Sequence, residues 1–566
     1  MNQSTSESMM FDGQAEDVAP VRSPAYGRKP SSQFMLVVIV AYCVAHFIVR
    51  LFTSPVYTLD EADILLTGQS FQLGYDLGHA PLLSWIYAFF DLVGVVNRPV
   101  VFGVKYALMA IGLIAFYRSV QIVFEWMDDS GIVYHRLDLA AGATIAWSFV
   151  FATGWGWHED QISQVLTFTL LASTFYAYVS ALTGQGLLKW ALFGGLAGLG
   201  VLSHFGFVLA PLSLVLVGAC MKSLTQAHYD QNGDRLSPPA ITGIRVLVAV
   251  FCLIGVISPY IAWLIMSPEA SIGYLSSTIS EVQSIFANQD AMLNAIQHRL
   301  DMIGLALSAI VQFSLPLSVI FIMLFWPMWF PYIYPFFPRR DVEEGPFERA
   351  WRRLFSNTLL VSCALAITYA MVSGEKLRPE WLHPVLFALP IWLFFQVQRS
   401  GPYFIAMRAF GVLSCILALL VVGGRMVDWS EDIISCQPQR CRAYMPVASW
   451  ANSLKNEEGF TRGTLVTDDS HLGGNFSALF PEARVIAATY PSSAFPNANE
   501  DTSSCLVVWR DRPQLPDDLA DYLQEQLKVT VGTRAPEGAM RRFLLRSNET
   551  SAVLYYRFFR PTAQCR

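Results

Sequence analysis

The sequence predicts a polytopic α-helical membrane domain followed by a soluble α/β domain, and three observations carry that reading. Of 566 residues, 54% are hydrophobic and only 14% charged, too few polar side chains to cover several soluble domains. Apolar stretches of about 20 residues recur along the chain, the length that crosses about 30 Å of hydrocarbon with every backbone polar group bonded internally. After residue 428 the composition changes to that of a water-soluble chain.

Residues 1–34 are polar and rich in Ser, Pro and acidic side chains, with no basic start leading into a short apolar run and a small-residue cleavage site. They read as a disordered cytoplasmic tail, not a signal peptide. The membrane domain, 35–427, is expected to contain eleven spans, at about 35–53, 98–118, 138–156, 160–182, 188–203, 205–221, 244–266, 302–328, 356–373, 382–397 and 407–427. Between the first two, residues 60–97 are partly apolar but interrupted by Gly74, Gly78 and Pro81, which suits two interfacial helices better than a crossing.

Lys and Arg set the orientation. They gather at Arg118 and Arg136, at Lys189, at Lys222, Arg235 and Arg245, at Arg339, Arg340, Arg349, Arg352 and Arg353, and at Arg399 and Arg408. With a cytoplasmic N-terminus, the eleven-span count places every group inside. It leaves 54–97, 157–159, the 203–204 turn, 267–301, 374–381 and everything after 428 facing outward.

In the outer domain, 428–566, strands at 463–467, 484–488 and 505–509 and a helix near 516–528 predict a small α/β unit. Cys436, Cys441, Cys505 and Cys565 face an oxidising compartment and are expected to form disulfides, with the pairing open; Cys43, Cys220, Cys252, Cys363 and Cys415 lie in apolar spans and are not. The net charge of −6 is spread over regions too different to identify a partner, and nothing suggests nucleic acid.

Polar residues that do not serve as solubilising surface collect at outer helix ends. The first outer loop carries Asp60, Glu61 and Asp63; on a helix Asp60 and Asp63 share a face and Glu61 points elsewhere. His158, Glu159 and Asp160 stand immediately before a later span. A single Asp there is more often a helix cap. Two acidic clusters on one side of the membrane instead suit a general base with an orienting partner, or a divalent ion. On the same side, Lys376 and Arg378 lie in Ser373-Gly374-Glu375-Lys376-Leu377-Arg378-Pro379, and Lys105 sits about two turns into the second span. Lys105 either snorkels or serves a site. Positive charge is otherwise sparse outside, and a phosphate at headgroup depth needs such partners. His79, His158, His204 and His383 fall near outer helix ends without the spacing of a ligand motif, so no metal is assigned and a divalent cation is left open.

In order, these segments resemble the GT-C membrane glycosyltransferases, especially the bacterial branch of lipid A aminoarabinose transferases and protein O-mannosyltransferase relatives. The resemblance covers about residues 55–400 and rests on Leu59-Asp60-Glu61-Ala62, Gly74-Tyr75-Asp76 with His79-Ala80-Pro81-Leu82, Val104-Lys105-Tyr106, Glu159-Asp160, Leu202-Ser203-His204-Phe205 and Lys376-Leu377-Arg378-Pro379-Glu380-Trp381. His204, Ala80 and Glu380 depart from the residues common in that family. The resemblance implies a sugar donor on a polyprenyl phosphate and inverting transfer, with no cofactor identified. Asp60, Glu61 and Asp160 would be catalytic; Lys376, Arg378 and Lys105 would hold the donor phosphate; His79, His158, Glu159, His204 and Glu380 would line the pocket. It further implies a bacterial inner-membrane location with a periplasmic site, and a glycolipid, glycan or protein acceptor, with lipid A or lipopolysaccharide core leading. Two other classes stay in view: a transporter or flippase of a lipid-linked saccharide, and a noncatalytic assembly protein. A transporter should carry its polar groups near mid-bilayer, whereas here they gather at one face.

Overall fold

The computed structural model describes residues 32–125, 136–184, 186–221, 224, 228–229, 235–237, 240–267, 289–326, 346–400, 404–430, 441–510 and 512–566. Its membrane domain is built from α1 (Ser32–Phe52), α2 (Leu59–Thr67), α3 (Leu82–Leu92), α4 (Arg98–Glu125), α5 (Arg136–Ile145), α6 (Ile162–Gly184), α7 (Leu187–Ser203), α8 (Leu209–Cys220), α9 (Gly243–Met266), α10 (Gln289–Leu324), α11 (Pro346–Ser373), α12 (Leu389–Ser400) and α13 (Phe404–Ser430).

Among the described residues, seven helices are long and apolar enough to cross a membrane, or eight if one bent pair is a single span. The expected spans at 188–203, 205–221 and 382–397 appear as helices of 10–17 residues, Leu187–Ser203, Phe205–Cys220 and His383–Val397. The expected span at 138–156 is the bent pair: Asp138–Phe149 and Ala152–Glu159 meet at 75°. Val150 causes the break, since its extended backbone (φ −83°, ψ 122°) interrupts the helical ladder. The bend carries His158, Glu159 and Asp160 back toward α2.

Helices α7 and α9 approach closely through small residues; a Cβ at Gly194 would lie 2.0 Å from the Ala249 carbonyl oxygen. Without a hydrophobic force between helices in lipid, such backbone proximity supplies much of the packing attraction.

The C-terminal domain contains α14 (Val447–Asn456), α15 (Ser470–Leu479) and α16 (Asp517–Glu525) around strands β1 (Gly463–Thr467), β2 (Ala483–Ala487), β3 (Cys505–Arg510), β4 (Gly538–Phe543) and β5 (Ser551–Phe559). The sheet order is β2-β1-β3-β5-β4. Strand β1 runs parallel to β2 and β3, and β5 runs antiparallel to β3 and β4. Every residue of β1 and β3 is buried, as the continuous apolar runs of central strands require. Strands β4 and β5 escaped the sequence reading because their charged and exposed residues break the apolar pattern.

A disulfide joins Cys505 to Cys565, 60 residues apart. The pairing expected of Cys436 lies outside the described residues. Closing a loop of that length removes chain entropy worth about 4 kcal/mol from the unfolded domain. Cys505→Ser is therefore expected to lower the thermal midpoint of the full-length protein's C-terminal domain, and an unchanged midpoint by calorimetry in detergent would refute that contribution.

Helix α2 is packed between the two domains. Its Ala62, Ile64, Leu65, Leu66 and Thr67 are buried, and a Cβ at Gly474 of α15 would fall 1.8 Å from the Ala62 carbonyl oxygen. The Gln69 side chain pairs with both main-chain groups of Val485 on the edge strand, at 2.9 and 3.0 Å. Asn475 likewise grips Tyr57, accepting from its N–H at 2.9 Å and donating to its carbonyl at 3.2 Å. Helix α3 keeps an apolar surface toward lipid, with Phe89 and Leu92 exposed.

Candidate active site

The site starts from a capped helix. Thr58 precedes α2 and forms a capping box with Glu61, whose Oε2 accepts the Thr58 N–H at 3.0 Å. The same Oε2 accepts Arg50 Nη2 at 2.7 Å. Arg50, from the last turn of α1, also donates to the carbonyls of Ser54 and Val56 at 2.8 and 3.0 Å. On the other side, Lys105 Nζ of α4 lies 3.9 Å from Glu61 Oε1. Burial raises the Glu61 carboxyl, but Arg50 and Lys105 outweigh it and bring it down to about 2. Glu61 is thus a buried counter-ion with 0% side-chain exposure, and the catalytic part expected of it does not suit that position.

Asp60 faces the other way. Its Oδ2 accepts Ser163 Oγ at 2.7 Å. Asp160 Oδ1 accepts Thr58 Oγ1 at 2.6 Å and the Asp60 N–H at 3.3 Å, so one carboxyl caps the helix that carries the other. Gln161, next in the chain, has φ of 64°, a left-handed backbone that non-glycine residues adopt at a cost of order 1–3 kcal/mol. That turn aims Asp160 at α2. Burial raises the Asp60 carboxyl, the Ser163 hydrogen bond opposes this, and Asp63 adds to it. Burial and then the Asp60 charge push Asp160 up to about 8.

His79 stands on the same face of the loop. Its Nε2 lies 2.9 Å from Ser84 Oγ, and its Nδ1 lies 3.1 Å from the hydroxyl of Tyr490 and 3.6 Å from Asp63. Tyr490, from the C-terminal domain, donates to Asp63 at 2.6 Å. His158 is buried deeper, bonded to the Tyr42 hydroxyl at 2.7 Å and stacked on His46 at 3.6 Å. Beside them, Arg425 of α13 donates to the Tyr106 hydroxyl at 3.3 Å.

The structure therefore gathers Asp60, Asp160, Glu61, Lys105, His79 and His158 around the N-terminus of α2. The other candidates lie apart. Lys376 and Arg378 are exposed on either side of buried Leu377, and among the described residues neither bonds to the acids. The Arg378 guanidinium stacks 5.1 Å over Trp381, which faces His204 at 5.9 Å. Glu380 turns its carbonyl to His383 at 2.9 Å. Glu159 is bonded by Trp155 Nε1 at 3.0 Å. Among the described residues no three His, Cys, Asp or Glu are grouped to hold a metal ion. Sequence reasoning missed Thr58, Ser163, Tyr490 and Arg425. Of these only Arg425 carried a signal, the same one as Lys105: a charge inside an apolar run.

No protein-family model matches the sequence. The lipopolysaccharide core galacturonosyltransferase RgtA of Rhizobium johnstonii is 22% identical over 485 residues, an alignment that covers 84% of this chain and 86% of the relative. The chain is thus similar to a glycosyltransferase over most of both lengths. The crystal structure of ArnT from Cupriavidus metallidurans bound to undecaprenyl phosphate aligns with this chain at a TM-score of 0.49 and 11% identity, covering 92% of this chain and 97% of that one. The archaeal oligosaccharyltransferase AglB from Archaeoglobus fulgidus, in complex with an inhibitory peptide and a dolichol-phosphate, aligns at 0.32 and 14% identity, covering 80% and 64%.

The acid pair and Lys105 have distinct chemical capacities. A carboxyl raised by burial holds a proton more tightly than one in water, as a base that accepts a hydroxyl proton must. Lys105 Nζ is buried with no hydrogen-bond partner, although it stands near Glu61, so its donors remain free for an anion.

Proposed function

We propose that the enzyme moves a sugar from a polyprenyl-phosphate donor to an acceptor hydroxyl on lipid A, lipopolysaccharide core or a related envelope glycan, at the periplasmic face of a bacterial inner membrane. The observation that carries this reading is an acid pair on α2 and the Asp160 turn set beside a buried ammonium with unused donors. The relative that acts on lipopolysaccharide core supports the acceptor class.

The acceptor oxygen attacks the anomeric carbon as the bond from that carbon to the phosphate oxygen breaks, inverting the centre. The acceptor proton passes to Asp60, and the leaving group departs as polyprenyl phosphate. Lys105 meets the negative charge that grows on the phosphate. Asp160 keeps its proton at neutral pH and orients Thr58 and the start of α2. Lys376 and Arg378, exposed on the 374–381 segment, attract the donor headgroup before it enters. Mass spectrometry of lipid A, polysaccharide and periplasmic protein tests the reading in a deletion strain complemented with wild type, Asp60→Asn or Lys376→Ala. Loss of one defined sugar, restored only by wild type, is expected; full rescue by both well-expressed variants would overturn the assignment.

A pH profile follows with a definite sign. Asp60 must be ionised to accept a proton, so kcat/KM should fall on the acid side, at a pH above the ordinary Asp value of 3.8. As pH rises through about 8, Asp160 loses its proton, and a second anion beside Asp60 repels the donor phosphate. The rate should fall again, and Asp160→Asn should shift that alkaline limb while leaving the acid one in place. Two unchanged limbs in the variant would show that Asp160 does not titrate in this range.

A further inference from the structure

A cleft of about 280 Å³ opens between the α2–α3 segment and the C-terminal domain, away from the acid pair. Its polar walls include Gln69, Asp91, Glu482, Arg484, Asn497 and Arg566. With Asn499, the cleft mixes three amides with two cations and two anions, so its charge nearly balances. That lining suits a saccharide better than a phosphate or a fatty chain, because each sugar hydroxyl both donates and accepts and is matched by planar amide, carboxylate and guanidinium groups.

Two features leave bonding capacity unused there. The Nε atoms of Arg484 and Arg566 are buried without a hydrogen-bond partner. Their terminal nitrogens are tethered, Arg484 to the Gln564 carbonyl at 2.7 Å and Arg566 to Glu500 at 3.1 Å, which holds both guanidinium planes in place. The cleft is also tied to the chemistry. Leu65 lines it and follows Asp60 along α2 by about 7 Å at the rise of 1.5 Å per residue, and Gly68 and Gln69, just past the end of α2, line it too.

We infer that this cleft binds the oligosaccharide part of the acceptor, a few sugar units from the hydroxyl that reacts. The inference rests on the glycosyl-transfer reading above and adds an acceptor subsite to it. It predicts a split between acceptors of different length. With purified full-length enzyme, Asn497→Ala and Arg566→Ala should raise KM for the long acceptor about tenfold. Neither kcat nor donor KM should change, and transfer to an acceptor trimmed to its reacting sugar should match wild type. Asn497 is exposed, so its truncation leaves the fold intact even if Arg566→Ala does not. Equal effects on both acceptors, or none on either, would overturn the subsite.

Calorimetric binding of oligosaccharide released from the host lipopolysaccharide separates the two readings. If wild type transfers no sugar yet binds this probe about tenfold more tightly than Asn497→Ala, the cleft stands and the transfer reading falls. If wild type transfers sugar but both proteins bind the probe equally or not at all, the cleft falls alone.

Discussion

Asp60→Asn is expected to lower kcat by about 100- to 10,000-fold, the span over which a positioned general base contributes, while leaving thermal stability near that of wild type. Asn keeps the size of the side chain and an oxygen that accepts from Ser163 Oγ, now 2.7 Å from Asp60 Oδ2. The Asp60 N–H still reaches Asp160, so the helix cap survives. Only the proton acceptor is removed. Donor KM should stay within about twofold, because Lys105 is untouched. Single-turnover transfer by detergent-purified protein measures this directly, and a variant with more than a tenth of the wild-type rate would move the base elsewhere in the site.

Glu61→Ala, one position along, should behave in the opposite way, through stability before rate. Removing that carboxylate leaves Arg50 and Lys105 buried without their shared counter-ion, both at most 3% exposed. Breaking a buried pair costs about 3 to 5 kcal/mol, since the stranded charge cannot be rehydrated. It also deletes the acceptor for the Thr58 N–H at the start of α2. The expected result is a large drop in the thermal midpoint and poor recovery from detergent extraction. A double variant, Arg50→Met with Glu61→Leu, should recover part of the loss, because it removes both members of the pair. A Glu61→Ala protein with wild-type stability and no activity would return this residue to the catalytic set.

The difference between these neighbours shows where sequence reading stops. Periodicity placed Glu61 on another face from Asp60, and the distribution of Lys and Arg led to the expectation of the cluster on the outer side. That Arg50 fills the space on Glu61's face was not legible. Arg50 ends one apolar run and Lys105 sits about two turns into another, and either charge reads equally well as a snorkelling side chain. Likewise, Asp60 and Asp160 were both visible as acids at outer helix ends. Their junction through Thr58 depends on the break at Val150 and the left-handed turn at Gln161, neither of which has a residue pattern that announces it. Lys376 and Arg378 illustrate the reverse case. Their motif was prominent in sequence, yet the fold leaves both exposed, because Leu377 between them takes the buried position.

The part of the C-terminal domain was hidden for a similar reason. Its first three strands were apparent as short apolar runs, but Tyr490, Val485 and Asn475 have no sequence signal as partners of the outer loop. Their bonds span more than 400 positions of chain. The sequence by itself determined a polytopic helical membrane domain, the order of its helices and the helix ends that carry acids, because hydrophobic length and residue type are local properties. Tertiary structure alone decided which carboxylate neutralises a cation, which one bonds Ser163 and which domain covers α2. Those outcomes depend on burial and on charges within about 4 Å, where Coulomb energies become large, and the groups at that distance come from segments far apart in the chain.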